Sequence, residues 1–195
     1  HATAPMPPHP IAAGKLDKTP FAHLLCDLDR RQLSGTLVVW PDLTGQKQPQ
    51  APDAIYFLKG RPVAGRFTRP ARSLPLGLLD LFTRTRAPYA LYEENLVGDD
   101  RIGDPVDPFA LIAESLRSAT RDVDLDLRVA SKLKRLGEAK LRIRPEIDLQ
   151  RYALNAEERA FVDLLQATPI DAASLVAGSG LSAARARRTL YLLSV

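Results

Sequence analysis

Residues 34–67 contain three short runs rich in β-branched and aromatic residues, and their spacing constrains the fold more than any other feature. The runs lie at 34–40, 55–58 and 61–67, separated by Gly, Pro and Asp, a pattern typical of strands. Lys59 and Gly60 fall between the second and third runs, and glycine supplies the positive φ that a tight turn needs. We therefore predict a β-hairpin here, with Gly35 and Gly60 at turn positions.

Apolar residues at helical spacing surround these predicted strands. Residues 21–33 and 75–83 are predicted helices, and residues 87–92 return to strand character. Cys26 lies beside the apolar face of the first helix and is predicted to be a small core residue, because no base is placed for it. The predicted sheet core consists of Leu37, Val39, Tyr56, Val63 and Leu79. These elements predict an α+β fold with a small, mostly antiparallel sheet covered by helices.

The second half of the chain is dominated by helical patterns. Asp107 before Pro108 predicts a helix start, and residues 123–136 predict a helix that ends at Gly137. Residues 139–144 alternate strictly between apolar and basic, which predicts a half-buried strand. Its basic outer face consists of Lys140, Arg142 and Arg144.

From residue 149 onward the pattern is helical only. Asn155 and Glu158 form a capping-box signature, and Phe161, Leu164 and Leu165 are predicted to be buried behind it. A second, short helix at 171–177 is followed by a turn at 178–180. Ser182 is predicted to cap the final helix, so the last three helices predict a helix-turn-helix arrangement.

Composition and charge restrict the class of protein. The 195 residues are 45% hydrophobic and 26% charged, which is typical of a globular chain, and 27 basic against 23 acidic residues give +4. This mild excess does not imply nucleic acid by itself. One cysteine excludes an internal disulfide, and no apolar run approaches a membrane span, so a cytoplasmic location is expected. Four prolines in the first ten residues predict a flexible tail.

Charge is segregated along the middle of the chain. Residues 59–86 carry seven basic residues and one acidic residue, whereas residues 93–107 carry six acidic residues and one basic residue. Two solvated faces of opposite sign would give this pattern, and so would a polarised surface that docks a partner.

No set of residues in the sequence predicts catalysis, a cofactor or a metal. The chain lacks HExxH, a Walker lysine motif, GxSxG and CxxC. Its histidines are His1, His9 and His23, two of them in the predicted tail. Three aspartates at 122, 124 and 126 resemble the start of a calcium loop, but Leu127 stands where such a loop needs glycine.

The order of these elements resembles the PATAN domain of bacterial signalling proteins. The resemblance covers about residues 15–121 and depends on Ser34-Gly35-Thr36-Leu37, Ile55-Tyr56-Phe57, Lys59-Gly60, Val63-Ala64 and the Leu-rich helix that follows. It implies an α+β fold and a non-enzymatic role in protein–protein contacts, with no catalytic residues. Residues from 123 onward resemble a winged-helix-like extension. The predicted organisation is a tail at 1–14, a PATAN-like domain with its helical extension at 15–148, and a helical subdomain at 149–195.

Two functions are carried forward. The first is a regulatory adaptor that binds another cytoplasmic signalling or motility protein, and the alternative is a DNA-binding regulator that uses the final helix. Lys140, Arg142 and Arg144 would meet an acidic partner, or they would only keep a strand edge soluble. Arg185 and Arg188 are predicted to share a solvent-facing surface with Tyr191, as either a DNA or a protein contact. Leu190 and Leu193 are predicted to face inward, onto Phe161 and Leu165.

Overall fold

A computed structural model describes residues 9–41, 51–69, 73–119 and 123–194. Within these ranges the chain forms five strands in one antiparallel sheet and seven α-helices. The predicted α+β class is therefore confirmed. The chain divides into two compact units, an N-terminal unit (His1–Leu111) and a C-terminal unit (Ile112–Val195). The sequence suggested a division after Asp148 instead, between the PATAN-like part and the final helices.

The N-terminal unit is built on the five-stranded sheet. Its strands have the order β1-β5-β2-β3-β4, and each neighbouring pair is antiparallel. The strands are β1 (Ala12–Lys15), β2 (Gly35–Val39), β3 (Asp53–Leu58), β4 (Arg61–Arg66) and β5 (Pro88–Tyr92). Two helices belong to this unit, α1 (Phe21–Arg30) and α2 (Leu74–Leu81), and a 3₁₀ turn spans Asp99–Arg101.

The turn between β3 and β4 confirms the predicted hairpin. Lys59 has φ 48° and Gly60 has φ 75°, and two successive positive φ angles characterise the two-residue turns that suit twisted strands. The backbone N–H of Gly60 donates to the Leu33 carbonyl at 2.7 Å, and the Lys59 N–H donates to the Ser34 hydroxyl at 2.9 Å. These bonds tie the turn to the segment that follows α1.

Gly35 has a different role from the predicted one. It begins β2 with φ 148°, and a Cβ there would overlap the Tyr92 carbonyl oxygen. Glycine is therefore needed for the close approach of the end of β5 and not for a turn.

Strand β1 was not predicted, because residues 1–14 were assigned to a tail. The Ile11 N–H donates to the Leu91 carbonyl at 2.8 Å, and the Leu16 N–H donates to the Ala87 carbonyl at 3.0 Å. The four residues of β1 are exposed and mostly small. They carry no apolar alternation, and the strand is placed by its backbone pairing with β5.

Most of the predicted core is confirmed. Leu37, Val39 and Val63 are at most 1% exposed, and Cys26 is buried. Tyr56 and Leu79 are only half-buried, so the prediction was wrong for these two. Helix α2 turns Gly77, Leu78 and Leu81 inward instead, which leaves Leu76 53% exposed.

Two buried polar side chains hold loops to this sheet. The Thr36 hydroxyl donates to the Glu94 carbonyl at 2.6 Å and accepts from the Leu96 N–H at 2.9 Å. Asp53 is fully buried, pairs with the Arg84 guanidinium and accepts from the Thr68 N–H. The Thr36 hydroxyl thus has a hydrogen-bond donor and acceptor, and the Asp53 carboxylate is held by one hydrogen bond and one ion pair.

The charged segments of the N-terminal unit partly neutralise each other. Arg61 lies 3.7 Å from Asp107, and Asp80 lies 3.7 Å from Arg69 and 3.5 Å from Arg84. Exposed pairs at these distances contribute little stability. They do reduce the excess of positive charge on residues 59–86, and a polarised docking surface stays a prediction.

The C-terminal unit packs its helices around one apolar cluster. The helices in this half of the chain are α3 (Pro108–Ser118), α4 (Val123–Lys134), α5 (Ala156–Ala167), α6 (Ala172–Gly178) and α7 (Ala183–Ser194), with a 3₁₀ turn at Leu149–Tyr152. The buried cluster consists of Phe161, Leu165, Leu175, Ala186 and Leu190. The predicted helix starts are confirmed, since Asn155 and Glu158 form a full capping box, and Asp107 and Ser182 accept from the first turns of α3 and α7.

Two sequence predictions in this unit were wrong. Residues 139–144 form no strand, and the only β contact there is the bridge between Leu141 and Ile170, with an N–H···O distance of 2.9 Å. Leu164 is 40% exposed because the buried stripe of α5 runs through Glu158, Phe161, Val162 and Leu165. Leu164 lies to one side of that stripe.

Candidate partner-binding surface

Helices α5, α6 and α7 form the predicted helix-turn-helix arrangement. Gly180, with φ 70°, turns the chain between α6 and α7. Leu190 belongs to the apolar cluster with Phe161 and Leu165, and Leu193 packs against it. The inward face of α7 is therefore the one predicted.

The opposite face of α7 is covered, contrary to prediction. Arg188 is only 8% exposed, and its Nε donates to a carboxylate oxygen of Asp126 at 2.9 Å. Its Nη1 donates to the Leu116 carbonyl at 3.4 Å. The sequence placed Arg188 in solvent, but α4 packs against α7 and carries Asp126 to this face.

Tyr191 is covered by the same helix. It is 7% exposed, and the Lys132 ammonium lies 5.0 Å from the centre of its ring, a cation–π geometry. Lys132 also donates to the Ser194 carbonyl at 3.3 Å. Leu192, the next residue, is 2% exposed, so the predicted solvent-facing surface at Tyr191 is absent.

The exposed part of α7 is short. Residues 188–192 are all buried, whereas the residues before them, apart from Ala186, face solvent. Arg185 keeps a side chain that is 52% exposed and lies 2.5 Å from Glu157. Arg185 is therefore exposed to solvent, as predicted, but it forms an ion pair with the Glu157 carboxylate.

The three basic residues of 139–144 differ in their surroundings. Lys140 lies 3.1 Å from Asp171, which caps α6 by accepting from the Ser174 N–H at 2.9 Å. The Ser174 N–H, and after it Lys140, hold the pKa of the Asp171 carboxyl well below its usual value. Because that pKa is lowered on folding, the stabilisation is present above the ordinary Asp pKa of about 3.9 and is lost as the pH falls below it.

Arg142 and Arg144 are exposed, and neither forms an ion pair with any residue the structure describes. They lie at a cleft of about 480 Å³ between this segment and α5, which we call the arginine cleft. Its apolar wall is formed by Ile143, Pro145, Ile147, Leu149, Leu165 and Pro169. Gln166 supplies an amide at its edge. The cleft thus offers two guanidinium groups beside an aliphatic surface.

A second cleft of about 540 Å³ adjoins the first and shares Leu149 and Gln166 with it. Its charged lining residues are Arg159 and Asp163, one of each sign. Sequence patterns predicted the two arginines but missed Ile147, Leu149 and Gln166. Ile147 and Leu149 were visible as apolar residues after Pro145, whereas Gln166, a polar residue on α5, gave no signal.

The N-terminal unit has its own surface cleft, of about 500 Å³, beside β4. Val63, Phe67, Leu74 and Val106 form most of its apolar wall, and Arg101 and Asp104 add opposite charges. Among the residues that the structure describes, no three His, Cys, Asp or Glu side chains cluster as metal ligands would. Within the same ranges, no helix has the length and apolar character needed to cross a membrane.

Replacing Asp126 by Ala is expected to destabilise the C-terminal unit by about 1–3 kcal/mol, because a buried guanidinium loses its anion. The value lies below that for a fully enclosed pair, since Asp126 is 45% exposed. Arg188→Met should cost less, because it removes the buried charge and keeps an apolar side chain of similar length. Urea unfolding followed by circular dichroism measures both. A larger loss for Arg188→Met than for Asp126→Ala would contradict this account of the pair.

The arrangement at the arginine cleft suits binding of carboxylates and aliphatic groups. Guanidinium groups bind carboxylates through paired hydrogen bonds, and an apolar wall is stabilised by contact with aliphatic side chains.

Comparison with known proteins identified no relative of this chain. No protein-family model matches the chain, and it matches neither a curated protein nor a solved structure.

Proposed function

We propose that the chain is a non-enzymatic regulatory adaptor that binds another protein. The observation that carries this proposal is the burial of Arg188, Tyr191 and Leu192 against α4 and the core. A helix that reads DNA presents polar side chains along an open face that enters the major groove. In α7 the second half of that face is closed.

The resemblance to the PATAN domain also supports an adaptor. The N-terminal unit has the order of elements on which that resemblance depends, with α1, β2, the β3–β4 hairpin, α2 and β5 in sequence. The resemblance implies protein–protein contacts in bacterial signalling. We propose a cytoplasmic signalling or motility protein as the partner.

The DNA-binding alternative is supported by one observation. Arg185 and Arg187 are exposed at the beginning of α7, and residues near the start of a recognition helix often contact base edges. Ala183 and Ala184 share this exposed part and offer no hydrogen-bonding group to a base.

Duplex binding by the whole chain, measured by fluorescence anisotropy at low and physiological salt, separates the two functions. We expect weak binding without sequence preference that is lost at physiological salt, because phosphate contacts release counterions. Affinity capture with the same chain as bait, followed by mass spectrometry, is expected to recover a protein partner.

The matched variant is Arg185→Ala with Arg187→Ala, which leaves the buried Arg188 intact. It should retain the captured partner. Sequence-selective, submicromolar duplex binding that this variant abolishes would replace the adaptor with a DNA-binding regulator.

A further inference from the structure

We infer that the arginine cleft binds a short acidic segment of a partner protein, with at least one aliphatic side chain between or beside its carboxylates. This inference rests on the proposed adaptor function and names the site and the chemistry of its ligand. It commits to a peptide segment in an extended or irregular conformation.

Charge is the first reason. Both charged residues that line the cleft are arginines, and no described carboxylate lines it. Glu146 and Asp148 belong to the same segment but lie outside the lining, and Asp148 already accepts from the Gln150 N–H at 3.0 Å. The guanidinium groups of Arg142 and Arg144 are therefore available to bind carboxylates through paired hydrogen bonds.

Local neutralisation separates these two arginines from the other basic residues of the predicted sites. Lys140 is occupied by Asp171, Arg185 lies beside Glu157, and Arg188 is enclosed with Asp126. Of the five basic residues singled out from the sequence, only Arg142 and Arg144 have no carboxylate partner among the described residues. Among the described residues, no carboxylate competes with an incoming anion for these two guanidinium groups.

Apolar surface is the second reason. Ile143, Ile147 and Leu149 are half-buried beside the arginines, and they leave aliphatic area open at the cleft. Exposed ion pairs alone contribute little to affinity, so carboxylates without an aliphatic neighbour would bind weakly. A segment with both kinds of group gains from burial and from charge, which is the usual basis of acidic-motif recognition.

The adjoining cleft indicates how such a segment would be placed. It balances Arg159 with Asp163 and shares Leu149 and Gln166 with the arginine cleft. Carboxylates of the segment therefore belong at the Arg142–Arg144 end, and neutral or mixed residues belong toward Leu154.

The test is a phage-display selection in which a random peptide library is bound to the whole chain. Peptides that also bind the double variant Arg142→Glu, Arg144→Glu are removed, because they do not need the cleft. We expect the enriched peptides to combine Asp or Glu with Leu, Ile or Val. The most enriched one is then synthesised, and its Kd is measured by fluorescence anisotropy. The charge reversal should weaken it at least about tenfold, because like charges then face each other.

The matched control is Arg135→Glu with Arg187→Glu, which changes the net charge equally at two exposed positions outside the cleft. It should keep the Kd within about twofold if the effect is local. Ile147→Ser tests the apolar wall and should weaken binding about threefold to tenfold, a loss expected for one partly buried aliphatic side chain. Circular dichroism melts confirm that each variant is folded.

Enrichment of basic peptides, no enrichment at all, or an equal loss in the control variant would each overturn the inference. So would duplex DNA that binds through Arg142 and Arg144 in place of peptide. The proposed function fails separately. If a captured protein still binds the charge-reversal variant, the adaptor function is supported and the inference about the arginine cleft is wrong. If peptides bind at the cleft but no protein is captured, the inference is supported and the adaptor function is wrong.

Discussion

Replacing Leu37 by Ala is expected to lower the free energy of unfolding of the N-terminal unit by about 2–5 kcal/mol. Leu37 is 1% exposed and lies in the middle of β2, opposite Ile55 on one side and Leu91 on the other. The shortened side chain would leave a cavity on the buried face of the sheet, beside Ile55 and Leu91, which the close-packed core fills only in part.

The measurement is urea unfolding followed by tryptophan fluorescence. Trp40 is the single tryptophan of the chain and directly follows β2, so its signal reports on this unit. Leu76→Ala is the control, because Leu76 is 53% exposed and its truncation should change stability by less than about 0.5 kcal/mol. Equal unfolding midpoints for Leu37→Ala and the parent would show that β2 is not part of the core.

Gly60→Ala is expected to destabilise the same unit by roughly 2–5 kcal/mol, from two separate causes. The first is φ 75°, which costs an L-residue about 1–2 kcal/mol. The second is overlap of the new Cβ with the backbone of Leu28 and Asp29, which cannot turn away as a side chain could. Hairpin and α1 must separate to admit the methyl group.

Other glycines separate these two causes. At Gly103, in the same unit, a Cβ would lie 3.7 Å from the Val63 carbonyl oxygen, an ordinary contact, so Gly103→Ala should be nearly neutral. At Gly137 the φ is 54° with no atom within 4 Å, so Gly137→Ala should show the backbone cost alone, about 1 kcal/mol. Thermal melts of all three variants give the comparison. If Gly60→Ala loses no more stability than Gly137→Ala, the tight contact between the hairpin and α1 does not exist.

Local chemistry was readable in the sequence wherever neighbouring residues decide the structure. Lys59-Gly60 predicted the hairpin because a two-residue turn needs positive φ, and Asn155 with Glu158 predicted a helix start because their side chains bond adjacent backbone groups. Strand β1 was missed because its pairing is made by backbone atoms, which have no signature in residue type.

Contacts between distant residues were the ones that sequence patterns could not predict. Arg188 and Asp126 are 62 residues apart in sequence, and nothing in the residue pattern of α7 shows that α4 will cover Arg188. The same holds for Tyr191 beneath Lys132. In 139–144 the apolar and basic sides were predicted correctly, since Leu141 and Ile143 pack on the cluster, but a single bridge replaces the predicted strand.

The strand order has a consequence for how the N-terminal unit assembles. β2, β3 and β4 pair with their neighbours in sequence, so contacts of short range suffice to form them. β5 is the last of the described strands in chain order but lies between β1 and β2, so until it pairs β1 has no partner and β2 is paired on one side only, with β3. During that interval the fully apolar stretch Leu37-Val38-Val39 presents an open edge, the kind of edge through which chains pair with one another. The time that β5 takes to pair with β2 thus sets how long a newly made chain is exposed to aggregation.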